Sequence, residues 1–217
     1  MLPMKRLSPI VIILLPFLII FALIFLFGRN PTPSPAQPSS DKMPAQPMTE
    51  PEMQIDPAKK YIALLKTSVG DITIELGAQK APKTVNSFVS LARQGFYTNT
   101  IFHRIIKGFM VQGGDPKGDG TGGPGYSVTE TPAPDTKYLR GTIAMAKTAA
   151  EPAGTSGSQF FIMQSDYNLP PDYITFGKVI SGLDVVDKIA TAPTNPGGKS
   201  STPIDPVKIL SVEITEE

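Results

Sequence analysis

The stretch Phe102–Asp115, FHRIIKGFMVQGGD, sets a cation, bulky apolar side chains and a carboxamide within a run of strand-forming residues. Side chains alternate across a strand, so Phe102, Arg104 and Ile106 share one face while His103, Ile105 and Lys107 share the other. Gly108 interrupts the run, after which Phe109, Val111 and Gly113 alternate against Met110 and Gln112. Arg104, Phe109, Met110 and Gln112 can serve one pocket only if the chain kinks or bulges near Gly108. Taken alone, the stretch reads as a cation snorkelling at a strand end beside ordinary core residues.

Other stretches change that reading. GTIAMAK from Gly141 and GTSGSQFFIMQ from Gly154 follow it, with PKTVNSF from Pro82 before it and TFGKV from Thr175 after. In order, spacing and residue type these resemble the cyclophilin family of peptidyl-prolyl isomerases, from about Tyr61 to Ile214. The resemblance implies a mainly β fold: a closed eight-stranded antiparallel barrel capped by two helices. It also implies that Arg104, Phe109, Met110, Gln112 and Phe161 form the core site. Ala146 and the backbone at Lys147 would line the groove, with Leu169 closing the pocket wall. Three positions depart from the best-known family pattern: Asn168 stands for a tryptophan, Tyr173 for a pocket histidine and Lys147 for an asparagine. Tyr173 still supplies an aromatic wall and a hydroxyl, whereas Asn168 weakens the expectation of tight cyclosporin binding. His103 aligns with a family histidine, yet alternation aims it away from Arg104, so it is given no part in catalysis.

Periodicity alone supports a mostly β domain with two helices. Tyr61–Thr67 and DITIEL, Asp71–Leu76, make a hairpin around Ser68–Gly70. Pro82 occupies a first helical position, and Val85, Phe88, Val89 and Ala92 recur at helical spacing before Gly95. Further strands are predicted over Gly141–Ala146, Ser158–Gln164, Ile174–Val179 and Val207–Ile214, with a second helix over Leu183–Ala190. Between Gly113 and Tyr126 lies GGDPKGDGTGGPGY, where Gly118, Gly120 and Gly123 satisfy GxGxxG. No helix can start into Gly123, Pro124 and Gly125, so dinucleotide binding fails its structural requirement. Asp115, Lys117, Asp119 and Gly120 hint at a calcium loop, but the twelfth position is Tyr126, not glutamate. A glycine-rich surface loop is the sound reading.

The remainder of the chain divides by composition. Ile10–Phe27 carries no charge and is long enough to cross a bilayer of about 30 Å as a helix. It ends Leu26, Phe27, Gly28, Arg29, without a small-residue cleavage site, and so reads as an uncleaved signal anchor over residues 1–29. Lys5 and Arg6 before the span, against Arg29 after it, place the N-terminus in the cytoplasm and the bulk of the chain outside it. Residues 30–57 are proline-rich and poor in large apolar side chains, the composition of a disordered, extended linker. Residues 58–217 are then the isomerase domain.

With no cysteine and one histidine, disulfides, thiolate metal sites and multi-histidine metal centres are excluded, and no cofactor is expected. A net charge of +1 offers no field for nucleic acid, and a monomer is expected. The X-Pro amide has a rotation barrier of about 18–20 kcal/mol from delocalisation of the nitrogen lone pair. Lowering it requires a dry cleft that grips proline and a donor that draws the lone pair out of conjugation, with no nucleophile or metal. Arg104 fits the donor. Phe109, Met110, Phe161 and Leu169 fit an apolar pocket of proline size, and Gln112 and Gln159 can orient a backbone carbonyl or Arg104 itself. The expected activity is isomerisation of X-Pro bonds in exported polypeptides at a membrane surface. The competing expectation is a tethered, non-catalytic proline-peptide binder or chaperone module.

Overall fold

A computed structural model describes residues 48–196 and 201–217. The expected span Ile10–Phe27 and the linker up to residue 47 lie outside the described residues. Among the described residues no helix is long and apolar enough to cross a membrane.

β1 (Tyr61–Thr67) and β2 (Gly70–Leu76) pair as the predicted hairpin, burying Ala63, Leu65, Ile72 and Ile74 on one face. α1 (Pro82–Arg93) starts with proline in its first turn and buries Val85, Phe88, Val89 and Ala92. It has no side-chain cap of its own. Glu130, far along the chain, accepts the Lys83 and Thr84 N–H groups at 2.9 and 3.0 Å and meets the charge preference of a helix N-terminus. Phe88 anchors an aromatic core with Tyr97 and Phe176, at centroid distances of 5.1 and 5.2 Å.

The remaining elements are β3 (Arg104–Ile106), β4 (Met110–Gly113), β5 (Val128–Thr129), β6 (Thr142–Met145), β7 (Thr155–Ser156), β8 (Phe160–Met163), β9 (Thr175–Ser181), α2 (Leu183–Ala190) and β10 (Ile209–Glu216). One eight-stranded antiparallel sheet runs β10-β1-β2-β9-β6-β8-β4-β3, and β5 and β7 form a separate ribbon. The expected closed barrel is therefore corrected to a curled half-barrel with β10 and β3 at its edges. Where closure would occur, the chain just before β3 meets the start of β10 through an isolated bridge, Ile101 to Lys208, and a few main-chain hydrogen bonds: Phe102 N–H to Val207 O at 3.0 Å, Asn99 N–H to Ile209 O and Ile209 N–H to Thr100 O, both at 2.8 Å. β3, at three residues, is too short to extend that contact into a ladder.

Two further findings differ from the sequence reading. Phe102–Asp115 is not one kinked strand: it reverses fully, with the Phe109 N–H donating to Ile106 O at 3.0 Å and Gly108 at φ 79°. That positive φ at the third position of a turn is one only glycine takes without strain. Residues 48–57, assigned by composition to the linker, lie against α1. Ile55 is buried in the core, and the Asn86 side chain accepts the Gln54 N–H at 2.7 Å and donates to Glu52 O at 2.9 Å.

Candidate active site

The site is written by strand register. Across three adjacent strands Arg104 pairs with Gln112, and Gln112 with Phe161; Phe161 in turn pairs with Ala144 on β6. Directly opposed residues project to the same side of a sheet, so these four make one row. One step along, Ile106, Met110 and Met163 make the next row on that face. The reversal at Gly108 thus achieves what a kink was expected to do: it returns Met110 and Gln112 to the face of Arg104.

All four residues of β8 are buried because the strand is covered on both sides. Phe160 and Ile162 enter the main core, while Phe161 and Met163 join Met110, Tyr138 and Ala144 in a second apolar cluster. Phe109, Ala146, Leu169 and Tyr173 pack around that cluster and remain partly exposed. Phe161 meets Tyr173 edge-on, with ring centroids 5.5 Å apart at 89°, and the Lys147 ammonium lies 5.6 Å from the Tyr173 ring centre.

A polar chain borders this hollow. The Arg104 guanidinium donates to Gln112 Oε1 at 3.2 Å, Gln112 Nε2 to Gln159 Oε1 at 3.0 Å, and Gln159 Nε2 to Gly120 O and Gly122 O at 3.0 and 2.9 Å. Each carboxamide's direction is set by its neighbour, so the glycine-rich loop orients Arg104 through two glutamines. The loop is itself wound around buried Asp115, whose carboxylate accepts the N–H groups of Lys117, Asp119 and Gly120 at 2.8, 3.1 and 2.6 Å. Gly122 passes so close that a Cβ there would lie 2.0 Å from Asp115 Oδ1. Between this loop and the segments Ala146–Thr148 and Gly157–Gln159 runs a groove of about 700 Å³.

All ten residues singled out from sequence are thus neighbours. Met110 and Phe161 belong to the apolar cluster, with Phe109, Leu169, Ala146 and Tyr173 packed against it. Gln112, Ala146, Lys147 and Gln159 line the groove, and Arg104 joins them through Gln112. His103 points the other way, as alternation requires. It is 8% exposed, its Nδ1 has no hydrogen-bond partner among the described residues, and burial lowers its pKa below the usual 6.5.

Sequence reasoning passed over Tyr138 and Gln164. The Tyr138 hydroxyl accepts the Tyr173 N–H at 3.2 Å and lies 3.1 Å from both Pro170 O and Tyr173 O, tying down the loop that carries Leu169 and Tyr173. Gln164 holds the Phe109 turn: its Oε1 accepts the Gly108 N–H at 2.6 Å and its own N–H donates to Phe109 O at 2.8 Å. Asp187 on α2 accepts from Gln164 Nε2 at 3.0 Å and from Arg140 in a two-pronged ion pair at 2.8 and 2.7 Å. Neither residue had a local signal, because each acts on elements distant in the chain.

A family model described as cyclophilin-type peptidyl-prolyl cis-trans isomerase matches residues 62–214. The chain belongs to the cyclophilin family. It is 42% identical to the probable peptidyl-prolyl cis-trans isomerase B of Mycobacterium tuberculosis, over 81% of this chain and 61% of that protein. The match thus spans less than two thirds of that protein's length. It is 41% identical to peptidyl-prolyl cis-trans isomerase B of Streptomyces anulatus, over 72% of this chain and 98% of that one. A Cryptosporidium parvum cyclophilin-type isomerase solved in the presence of the dipeptide Ala-Pro is similar in structure, with TM-score 0.64 and 37% identity over 72% of this chain and 99% of that one.

Proposed function

We propose that this cyclophilin is a peptidyl-prolyl cis-trans isomerase that accelerates X-Pro rotation with Arg104 as the electrostatic group. The supporting observation is the row Arg104, Gln112, Phe161 laid across three strands beside an apolar hollow. A proline ring enters the hollow between Phe109, Met110, Phe161 and Leu169, which excludes water from the amide. Arg104, aimed by Gln112, donates toward the amide nitrogen as its lone pair leaves conjugation, favouring the twisted state over either planar isomer. Ala146, the Lys147 backbone and Gln159 hold the flanking chain in the groove, and Tyr173 braces Phe161. The Ala-Pro dipeptide used with the Cryptosporidium relative is the smallest ligand of this kind.

The location follows from the sequence. Ile10–Phe27 anchors the chain in a membrane, the proline-rich segment spaces the domain from it, and the domain works on exported polypeptides outside the cytoplasm. Carbonate extraction and protease protection of the full-length chain test this: retention in the membrane with the domain accessible from the outer side is expected, and a freely soluble chain contradicts it.

Exchange NMR on an Ala-Pro-containing peptide tests the activity. Cis-trans exchange faster by orders of magnitude with catalytic amounts of protein is expected. Saturable peptide binding with exchange at the uncatalysed rate would favour the non-catalytic binder.

A further inference from the structure

The glycine-rich loop that walls the groove is held almost wholly by side chains. Residues 116–127 include Gly118, Gly120, Gly122, Gly123 and Gly125, the residue type with most backbone freedom to lose on ordering. Among the described residues, the one hydrogen bond between main-chain groups that this stretch makes comes from outside it: the Met48 N–H donates to Pro124 O at 3.1 Å. The loop's other end is held by Asp115 and by Gln159 at Gly120 and Gly122. Its Pro124–Tyr126 end lines the same groove. That end rests on Met48 and on the Tyr126 hydroxyl, 2.9 Å from Ser87 Oγ of α1.

Met48 is placed by its own anchors. The following segment, Thr49–Ile55, runs over α1, where buried Asn86 spends its whole carboxamide on it: Oδ1 accepts the Gln54 N–H, and Nδ2 donates to Glu52 O and to Pro51 O at 3.4 Å. Ile55 is 6% exposed, and Met48 packs against the core from the rim. A buried asparagine in the middle of an amphipathic helix is costly unless fully paired, and here its partners are all main-chain groups of one segment.

We propose that Met48–Ile55, seated on Asn86, is a positioning strap for the groove: it fixes the Pro124–Tyr126 wall and so sets how tightly the groove holds the polypeptide flanking the proline. The strap touches neither the apolar hollow nor Arg104, and it acts on substrate grip, leaving the rotation step itself alone. This inference rests on the isomerase reading for its kinetic consequence, but its structural half is measurable without any activity.

The test uses the full-length chain. Met48→Pro removes the N–H donated to Pro124 within a segment already rich in proline, and Met48→Leu keeps both the N–H and the apolar bulk. Amide hydrogen exchange of Gly120 and Thr121, whose N–H groups are hydrogen-bonded inside the loop, is expected to be about fivefold to tenfold faster in Met48→Pro than in Met48→Leu, because the loop opens more readily without the bond that holds Pro124. KM for an X-Pro peptide should rise by a similar factor, with kcat within about twofold. Asn86→Ala should move both readouts the same way. Equal exchange in the two Met48 variants overturns the strap, and faster exchange with an unchanged KM overturns its link to the groove. A wild-type chain that does not isomerise the peptide counts against the isomerase reading, while the exchange comparison still decides the strap.

Discussion

At the scale of single residues, His103 and Gly122 show what the site's surroundings demand. His103 is buried with an Nδ1 unpaired among the described residues, and desolvation disfavours its charged form, so its folded pKa lies below the unfolded 6.5. A lowered pKa means that the neutral ring stabilises the fold above pH 6.5, and that this contribution is lost as pH falls through the folded value. Denaturant unfolding at pH 7.5 and 5.5 should therefore show a smaller acid-induced loss in His103→Gln than in the wild type. Gly122→Ala puts a methyl 2.0 Å from Asp115 Oδ1, which must break the loop's winding. Because Gln159 is anchored on Gly122 O and aims Gln112 in turn, the variant should lose activity more than stability, as compared by kcat/KM and thermal midpoint. Arg104 and the apolar residues were legible because they sit in contiguous motifs, FHRIIKGFMVQGGD and GTSGSQFFIMQ, that carry the family resemblance, although their types alone read as an ordinary strand. The tasks of Asp115 and Gln164 were not, since a carboxylate holding loop amides and a carboxamide holding a turn leave no periodic trace.

At the scale of elements, the turn that presents Phe109 is held from outside. Gln164→Ala leaves the Gly108 N–H without its partner and loosens the turn, costing about 1 kcal/mol, or roughly fivefold in kcat/KM. Asp187 on α2 supports the same turn through Gln164, and its carboxyl is lowered from 3.8 to about 2, chiefly by the hydrogen bond from Arg140 and next by that from Gln164. The ionised form is the stabilising one. Its contribution is complete above pH 3.8 and disappears as pH falls through about 2, so Asp187→Asn should flatten the acid limb of the unfolding curve in that window. The hairpin and both helices were legible because their periods are clean: Ile72, Ile74 and Leu76 alternate, and Val85, Phe88, Val89 and Ala92 recur by helical turns. The reversal at Gly108 was not, because β3 and β4 are too short for alternation to reveal a change of direction. Likewise β5 and β7, two residues each, exist only through pairing with one another.

At the scale of the whole molecule, the first and last strands are partners: β1 pairs along its length with β10, which buries Ile209 and Val212. Removing residues 209–217 should abolish cooperative unfolding followed by near-ultraviolet circular dichroism, since β1 would lose its outer ladder and become an open edge. Openness of the barrel could not be read from sequence, because the pattern of strands is the same whether the last pair of edges meets or stops at a bridge. The site residues could be named before the sheet's shape because the motif resemblance carries them one by one, whereas the register that aligns Arg104, Gln112 and Phe161 depends on the reversal at Gly108 and emerged only in the structure. The proposed catalysis rests on a guanidinium on that row lowering the barrier in a bound X-Pro amide. The most direct measurement is NMR exchange and peptide titration on the same samples of wild type and Arg104→Ala. Expected is a fall in catalysed exchange of about 10²–10³-fold, with peptide affinity changed much less. Exchange in Arg104→Ala at the wild-type rate, or wild type no faster than the variant while both bind the peptide, would contradict it.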